Sequence, residues 1–412
     1  MKKILTVLLA AIMSASFLAG CASGGNSASK STQAEAASSG AVSSAVSVET
    51  SKAESAVFET SKAETAASVT SEAVTPAEEA AAETSEAEAP ATKIFTDSLG
   101  REVEVPSHIT RVAVSGPLAQ IALFAICPDE LVGIANEWDP TAQNFFDEKY
   151  YNLPVLGQLY GGKGELNLET LLASGAEVVI DVGEPKGSAK EDLDALQEQT
   201  GIPFVHVTAM LSSFADAYRT LGDLLDKEEE AEKIAVYLEE VYDQAQKTAE
   251  SAEKVNLLYI TGNEGHNVIA QGSYHSEVID LFSNNLAVVD EPSSKGTGNE
   301  VDMEQILNWN PDYIIFDPGS IYSDVADDET WQNVKAIQDG HYYEAPQGPY
   351  NWMGFPPSVQ RYLGMMWMAK LLYPDQTDYD LYEKTAEYFE LFYHCSLSKE
   401  QYEEIVRNSI GK

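Results

Sequence analysis

The sequence has few cysteines. Only Cys21, Cys127 and Cys395 occur in 412 residues. Disulfide-rich domains and zinc ribbons need several closely spaced thiols, so both classes are excluded. A chain of this length must instead be stabilised by a buried core. Cys127 and Cys395 lie far apart in the sequence, and nothing local predicts that they pair.

Basic residues are also scarce. The chain has 25 Lys and Arg against 66 Asp and Glu, which gives a formal net charge of -41 at pH 7. Such a surface repels nucleic acid and anionic lipid headgroups, so neither is an expected partner. Only five residues are arginine, so a strongly anionic ligand would have to rely on few charges.

The motifs of common enzyme classes are missing. The sequence has no Gly-x-Ser-x-Gly elbow, His-Glu-x-x-His motif, phosphate-binding Gly-Lys loop or dinucleotide fingerprint. Ser273 and His275 are the nearest approach to a nucleophile pair, but residues two apart seldom face each other. We therefore do not expect an enzyme.

Long apolar runs are confined to the first 20 residues. Lys2 and Lys3 precede an apolar run over residues 4–18, which is too short to span a bilayer and indicates an export signal over residues 1–20. The run ends in Leu-Ala-Gly-Cys at Cys21, which resembles a bacterial lipobox. We expect Cys21 to be lipidated; an ordinary secretory signal with a chance cysteine is the alternative.

Residues 21–93 are composed mainly of Ser, Ala, Thr, Glu and Val, and part of the segment is an imperfect duplication, ETSKAE at 49–54 and again at 59–64. Without bulky apolar residues this segment cannot offset the entropy cost of ordering, so it is predicted to be a disordered tether.

From residue 94 onward, short apolar runs alternate with stretches of helical periodicity. This alternation predicts parallel sheets covered by helices, an α/β fold. A helix with apolar residues at Ile234, Leu238, Val241 and Ala245 interrupts it, and the pattern then restarts. We expect two Rossmann-like lobes, 94–226 and 253–412, joined by one long rigid helix at 227–252, with the C-terminal helices in the second lobe. A further strand is predicted over residues 131–135.

An internal repeat supports two similar lobes. Residues 166–172 (LNLETLL) and 177–180 (EVVI) match residues 301–307 (VDMEQIL) and 312–315 (DYII) at identical spacing. Each copy combines a polar helix cap, a glutamate in the first turn and a buried strand. The alternative is that this unit recurs in any α/β protein.

Seven segments in order carry a family likeness. Together they resemble the substrate-binding proteins of ABC importers for iron–siderophore complexes, haem and cobalamin, over residues 95–374. The segments are 96–101 (TDSLGR), 109–117 (ITRVAVSGP), 156–169 (from LG to NLE), 177–180 (EVVI), 199–205 (QTGIPFV), 310–316 (NPDYIIF) and 364–374 (from G to YP). Gln120 is a departure, because the family often carries Glu there.

The resemblance implies a monomeric, lipid-anchored protein on the outer face of the cytoplasmic membrane or in the periplasm. It would bind its cargo between the lobes and deliver it to an ABC permease and its ATPase. Each lobe would present one carboxylate to the permease, and the matching residues are Glu169 and Glu304. The alternative for these two is helix capping alone.

Ligands of open α/β sheets bind beyond the carboxyl ends of the strands, and the loops predicted there are rich in aromatic residues suited to a large organic ligand. The candidates for ligand contact are Pro117, Trp138, Tyr160, Lys163, Glu184, Lys186, His266, Tyr274, His275, Tyr350, Trp352 and Arg361.

The ligand itself is expected to be a metal already held in a chelate, most simply an iron–siderophore complex. A bare metal ion needs three or four converging ligands, which His266 and His275, the only histidines on these loops, could supply only together with Glu264 or Glu277. A chelated metal is therefore favoured over a bare ion, and no intrinsic cofactor or metal is expected. Haem, cobalamin and a molybdate or tungstate oxyanion held by helix N-termini remain alternatives. A surface adhesin or sensor is the competing class.

Overall fold

The computed structural model describes residues 91–160 and 165–411. The predicted signal peptide, Cys21, most of the tether and Lys163 lie outside these residues. The sequence predicts that the tether extends to residue 93, but Thr92 and Lys93 already pair with Pro106 and Val105 in the first hairpin.

The described residues of the first lobe form five strands and five α-helices. They are β1 (Thr92–Thr96), β2 (Glu102–Pro106), β3 (Val112–Val114), α1 (Pro117–Ile126), α2 (Glu148–Tyr151), α3 (Leu168–Ser174), β4 (Val178–Gly183), α4 (Ala189–Thr200), β5 (Phe204–Thr208) and α5 (Phe214–Leu225).

The sheet of the first lobe is parallel, in the order β3-β4-β5, and β1 and β2 form a separate antiparallel hairpin. The strand predicted over residues 131–135 is wrong. Leu131 bridges to Val112 whereas Ile134 bridges to Val155, so the chain changes partner within this stretch and forms no continuous ladder.

One long helix, α6 (Glu228–Ser251), links the lobes, as the sequence predicts. Its 24 residues span about 36 Å. The predicted stripe of Ile234, Leu238, Val241 and Ala245 is buried, and the helix packs against α5 on the side of the first lobe.

The second lobe contains the remaining strands and helices. They are β6 (Val255–Thr261), β7 (Asn267–Val268), α7 (Glu277–Phe282), β8 (Ser283–Asn285), β9 (Asn299–Glu300), α8 (Met303–Trp309), β10 (Tyr313–Phe316), α9 (Lys335–Gln338), β11 (Tyr342–Glu344), α10 (Arg361–Leu372), α11 (Leu381–Phe392) and α12 (Lys399–Ile405). The sheet has the order β11-β10-β6-β7-β9, and β8 pairs with β6. Its neighbours β11, β10, β6 and β8 run parallel.

The internal repeat corresponds to α3 with β4 and α8 with β10. The side chain of Asn167 accepts a hydrogen bond from the Thr170 backbone amide, and Asp302 accepts one from the Gln305 amide. Each cap therefore satisfies an amide that has no partner within the helix. Glu169 and Glu304 lie in the first turns and are exposed.

The core continues from one lobe to the other because one helix of the second lobe, α11, also packs against the first lobe. α11 packs against α1. Phe145 contacts Phe389 with ring centroids 5.2 Å apart, and Phe146 contacts Tyr393 at 5.7 Å. The two sheets are thereby held by a second connection besides α6.

Within residues 91–160 and 165–411, no helix combines the length and apolarity needed to cross a membrane. Cys127 and Cys395 are both free thiols. Cys127 is fully buried, and burial raises the pKa of its thiol.

Candidate ligand-binding cleft

A pocket of about 460 Å³ opens between loops of the two lobes. Its described lining is mixed aromatic, amide and acidic. The first lobe contributes Pro117, Gln120, Asn136, Glu137, Trp138 and Asp139, and the second contributes Asp317, Gln347, Pro349, Tyr350, Asn351, Phe355 and Pro356. Asp317 directly follows β10, so this pocket lies at the edge of the second sheet where a ligand is expected.

Side chains from the two lobes meet at this pocket. The Nε2 group of Gln120 donates to the Tyr350 hydroxyl at 3.2 Å, and Nε2 of Gln347 donates to Oδ2 of Asp139 at 3.4 Å. The rings of Trp138 and Tyr350 have centroids 6.0 Å apart. These contacts form the walls of the pocket and cross the boundary between the lobes.

Gln120 fixes the first-lobe wall. It lies on α1, and its Oε1 accepts hydrogen bonds from the backbone amides of Ala135 and Asn136 at 2.7 and 3.2 Å. Trp138, two residues further on, is buried and donates from its indole nitrogen to the carbonyl oxygen of Tyr150 at 3.0 Å. The loop is therefore held before any ligand arrives.

Asp317 provides a carboxylate in the second-lobe wall. Its Oδ1 accepts hydrogen bonds from the Tyr259 hydroxyl at 3.0 Å and from Nδ2 of Asn351 at 2.8 Å. Burial nevertheless raises the pKa of Asp317 to about 6, because desolvation outweighs these two hydrogen bonds.

His275 lies behind the wall formed by Phe355. The two rings stack with centroids 5.3 Å apart, and Nδ1 of His275 donates to the carbonyl oxygen of Gly354 at 2.8 Å. Burial lowers the pKa of His275, which favours the neutral imidazole. The residue therefore supports the wall but is not part of the described lining.

Three of the predicted contact residues, Pro117, Trp138 and Tyr350, line the pocket. Two others lie in the core, and their predicted role needs correction. Trp352 and Arg361 both have 0% of their surface exposed. Arg361 donates to Glu277 at 2.6 Å and to the carbonyl oxygen of Tyr274 at 2.9 Å. Its positive charge is therefore paired with the Glu277 carboxylate inside the second lobe.

The other predicted residues are not in the described lining. Lys186 pairs with Glu184 at 2.8 Å. The Tyr274 hydroxyl donates across the lobes to the Ala209 carbonyl oxygen at 2.7 Å, and burial raises its pKa to about 12. Tyr160 donates to Asp192 at 3.1 Å.

His266 directly precedes β7 and is partly exposed. Its nearest acidic partner is Glu264, with Nδ1 4.0 Å from the carboxylate. In the part of the chain that the structure describes, no three His, Cys, Asp or Glu side chains converge to hold a metal ion.

Sequence reasoning does not select Gln120, Asp139, Asp317, Gln347 or Phe355 as contacts. Asp317 carries a usable signal, since an acidic residue directly after a buried strand is expected at the ligand edge of a sheet. The others give no comparable signal, because most of them lie on irregular loops where no periodicity indicates which side chains face inward.

A second cavity, of about 200 Å³, lies against α6 and α10 and is lined by residues such as Tyr237, Met366 and Lys384. Its described lining contains no residue that directly follows a strand, so we assign the ligand site to the larger pocket.

Comparison with known proteins identifies the family. The profile of the periplasmic binding protein family matches residues 134–349, more than half of the chain. The chain belongs to this family. Its members are substrate-binding components of ABC importers and not enzymes, and membership implies a location outside the cytoplasm.

Individual relatives are distant. The chain is 25% identical to the molybdate-binding protein MolA of Haemophilus influenzae over 338 residues, which cover 74% of this chain and 92% of that protein. It is 22% identical to the Fe(3+)-citrate-binding protein YfmC of Bacillus subtilis, over 45% of this chain and 58% of that protein.

Among solved structures, the chain is similar to an ABC transporter solute binding protein from Sulfurospirillum deleyianum. The TM-score is 0.71 at 27% identity, and the match covers 76% of this chain and 99% of that one. The two-lobed α/β fold with a linking helix is therefore that of the family, and it confirms the predicted fold class.

Proposed function

We propose that this protein captures a chelated metal, of the iron–siderophore type, in the cleft between its lobes and delivers it to an ABC permease. The observation that carries the proposal is the pocket of about 460 Å³ lined by Trp138, Tyr350 and Phe355. Pockets of this size suit organic ligands of several hundred daltons, and aromatic walls suit their apolar surfaces.

A titration tests ligand capture. Ferric hydroxamate complexes absorb light and quench tryptophan fluorescence, and Trp138 lies in the pocket wall. Saturable quenching with one site per chain is expected, and Trp138→Phe should remove most of the signal while Trp309→Phe, on α8 away from the pocket, should not. If no ferric chelate quenches the fluorescence saturably, the proposal is wrong.

Molybdate is a second candidate, because the relative that shares 25% identity over 92% of its length is a molybdate-binding protein. An oxyanion is far smaller than the pocket and would need donors such as backbone amides at the start of α1. Competition by molybdate in the same titration separates the two candidates.

Delivery to the permease is proposed to use Glu169 and Glu304. Both are exposed in the first turn of equivalent helices, α3 and α8. Carboxylates held this way on two lobes can be recognised together by basic pockets on a partner.

Charge reversal tests this role. Glu169→Lys with Glu304→Lys is expected to abolish uptake of the ferric complex by cells and to leave its affinity for the purified protein unchanged. Glu191→Lys with Glu400→Lys is the matched control, because these are also exposed first-turn glutamates. An equal loss of affinity, or normal uptake, would remove the docking role.

We also propose that Cys21 carries the lipid that anchors the protein outside the cytoplasmic membrane. Labelling of cells with a radioactive fatty acid should mark the wild-type chain and not Cys21→Ser. The anchor, rather than a membrane-spanning helix, would then place the cleft next to the permease.

A further inference from the structure

We infer that the cleft selects a chelate whose outer face carries a positive charge, and that Asp317 is the residue that meets it. The inference rests on the proposed function, since it names the class of chelate.

The described lining of the pocket is acidic. It includes the carboxylates of Glu137, Asp139 and Asp317 and, among the described residues, no lysine or arginine. An anionic ligand would enter against this charge, whereas a cationic one would be attracted.

Of the three basic candidates for ligand contact, Lys163 lies outside the described residues, and the other two have acidic partners within the protein. Lys186 is paired with Glu184 at 2.8 Å, and Arg361 is fully buried beside Glu277 at 2.6 Å. Arg361 also lies over the ring of Tyr274, 4.6 Å from its centroid. Neither residue belongs to the described lining of the pocket.

Of the three carboxylates, Asp317 is the one that hydrogen bonds hold in place through one oxygen while the other oxygen can contact a ligand. Both described hydrogen bonds, from Tyr259 and Asn351, go to Oδ1, and Oδ2 accepts none from the described residues. Asp139 uses Oδ1 to cap Thr141 and Oδ2 to accept from Gln347. Glu137 is exposed to solvent, where water screens its charge.

The energetics favour a cation at this point. Asp317 lines the pocket together with Phe355 and Tyr350, and the loss of solvating water on burial raises its pKa to about 6. A positive group on the ligand would offset that cost, as a partner does for any buried charge. The ionised form would then be the binding form.

Affinity for a cationic chelate should therefore depend on pH. Between pH 7.5 and 5 the ionised fraction of a group with a pKa of about 6 falls about tenfold, and affinity falls with it. The second lobe contributes four other titratable groups around the site, which are Tyr259 on β6, Glu344 at the end of β11, Tyr350, and His275 behind Phe355. The first lobe contributes Glu137 and Asp139.

The test uses three ferric complexes that differ in one group. Ferrioxamine B carries a free ammonium, its N-acetyl derivative is neutral there, and its N-succinyl derivative carries a carboxylate. Fluorescence titration of the full-length protein at pH 7.5 should rank them in that order, with ferrioxamine B at least tenfold tighter than the succinyl derivative.

Asp317→Asn removes the charge with little change in shape. It should weaken ferrioxamine B about tenfold, leave the N-acetyl complex within about threefold and abolish the pH dependence. Asp327→Asn, an exposed carboxylate elsewhere in the second lobe, is the matched control and should change nothing.

The outcomes separate this inference from the proposed function. If the succinyl complex binds as tightly as ferrioxamine B, or if Asp317→Asn binds all three as the wild type does, the charge selection is wrong while chelate capture stands. If none of the three binds and molybdate does, the proposed function is itself wrong. The comparison of ligands on the wild-type protein decides the matter even if the variant fails to fold.

Discussion

Replacing Arg361 by methionine is expected to lower the free energy of unfolding by about 3 kcal/mol. Arg361 has no exposed surface, and its guanidinium donates to Glu277 and to the Tyr274 carbonyl oxygen. Removing one partner of a buried ion pair costs about 3–5 kcal/mol. The Glu277 side chain is 23% exposed, so water can solvate the remaining carboxylate and the cost should fall near the lower limit.

The assay is urea unfolding followed by circular dichroism, with ligand affinity measured on the same samples. Adding Glu277→Gln to Arg361→Met should recover about half of the loss, because the unpaired buried charge is then removed. A loss of stability below about 1 kcal/mol, together with a large loss of affinity, would show that Arg361 contacts the ligand and does not serve mainly to neutralise Glu277.

Three further predictions concern stability. Folding raises the pKa of Asp317 to about 6, so the stability that this residue contributes is complete below pH 4 and is lost as the pH rises through 6. In thermal unfolding, Asp317→Asn should therefore be more stable than the wild type by about 2–3 kcal/mol at pH 8 and equal to it near pH 4. A stability difference that does not depend on pH would contradict the assignment. Gly364→Ala places a Cβ 2.3 Å from the Trp352 carbonyl oxygen, so it should destabilise the protein by about 1–3 kcal/mol in urea although alanine favours helices by about 1 kcal/mol; a gain in stability would refute this. Asn167→Ala removes the cap of α3 and should cost about 1 kcal/mol in the same assay, whereas no loss would mean that solvent caps the helix equally well.

The helices are the most predictable part of the fold. The linking helix, predicted over residues 227–252, is observed as α6 over Glu228–Ser251, because its apolar periodicity is a local property of the sequence. The strand prediction around Leu131 fails since the apolar residues of that segment pair with two different neighbours, a choice made by tertiary packing and not by local sequence.

The site is less predictable for the same reason. The rule that ligands bind at the carboxyl ends of strands selects Pro117, Trp138 and Tyr350, which line the pocket, and their contact with a ligand stays a prediction. It cannot tell Tyr350 from Trp352, because an irregular loop has no repeat to show which side chain faces the core. The assignment of Arg361 to the ligand fails because a sequence does not reveal that Glu277 is its partner.

The most direct test of the central claim is native mass spectrometry of the whole protein extracted gently from its host, with metal analysis of the bound fraction. We expect one bound ligand per chain, with the mass of an organic molecule that contains iron. The variant Asn136→Trp, which narrows the pocket, should no longer carry this ligand. A chain that carries a molybdenum oxyanion with no organic component, or a ligand that persists unchanged in the narrowed variant, would contradict chelate capture in the cleft.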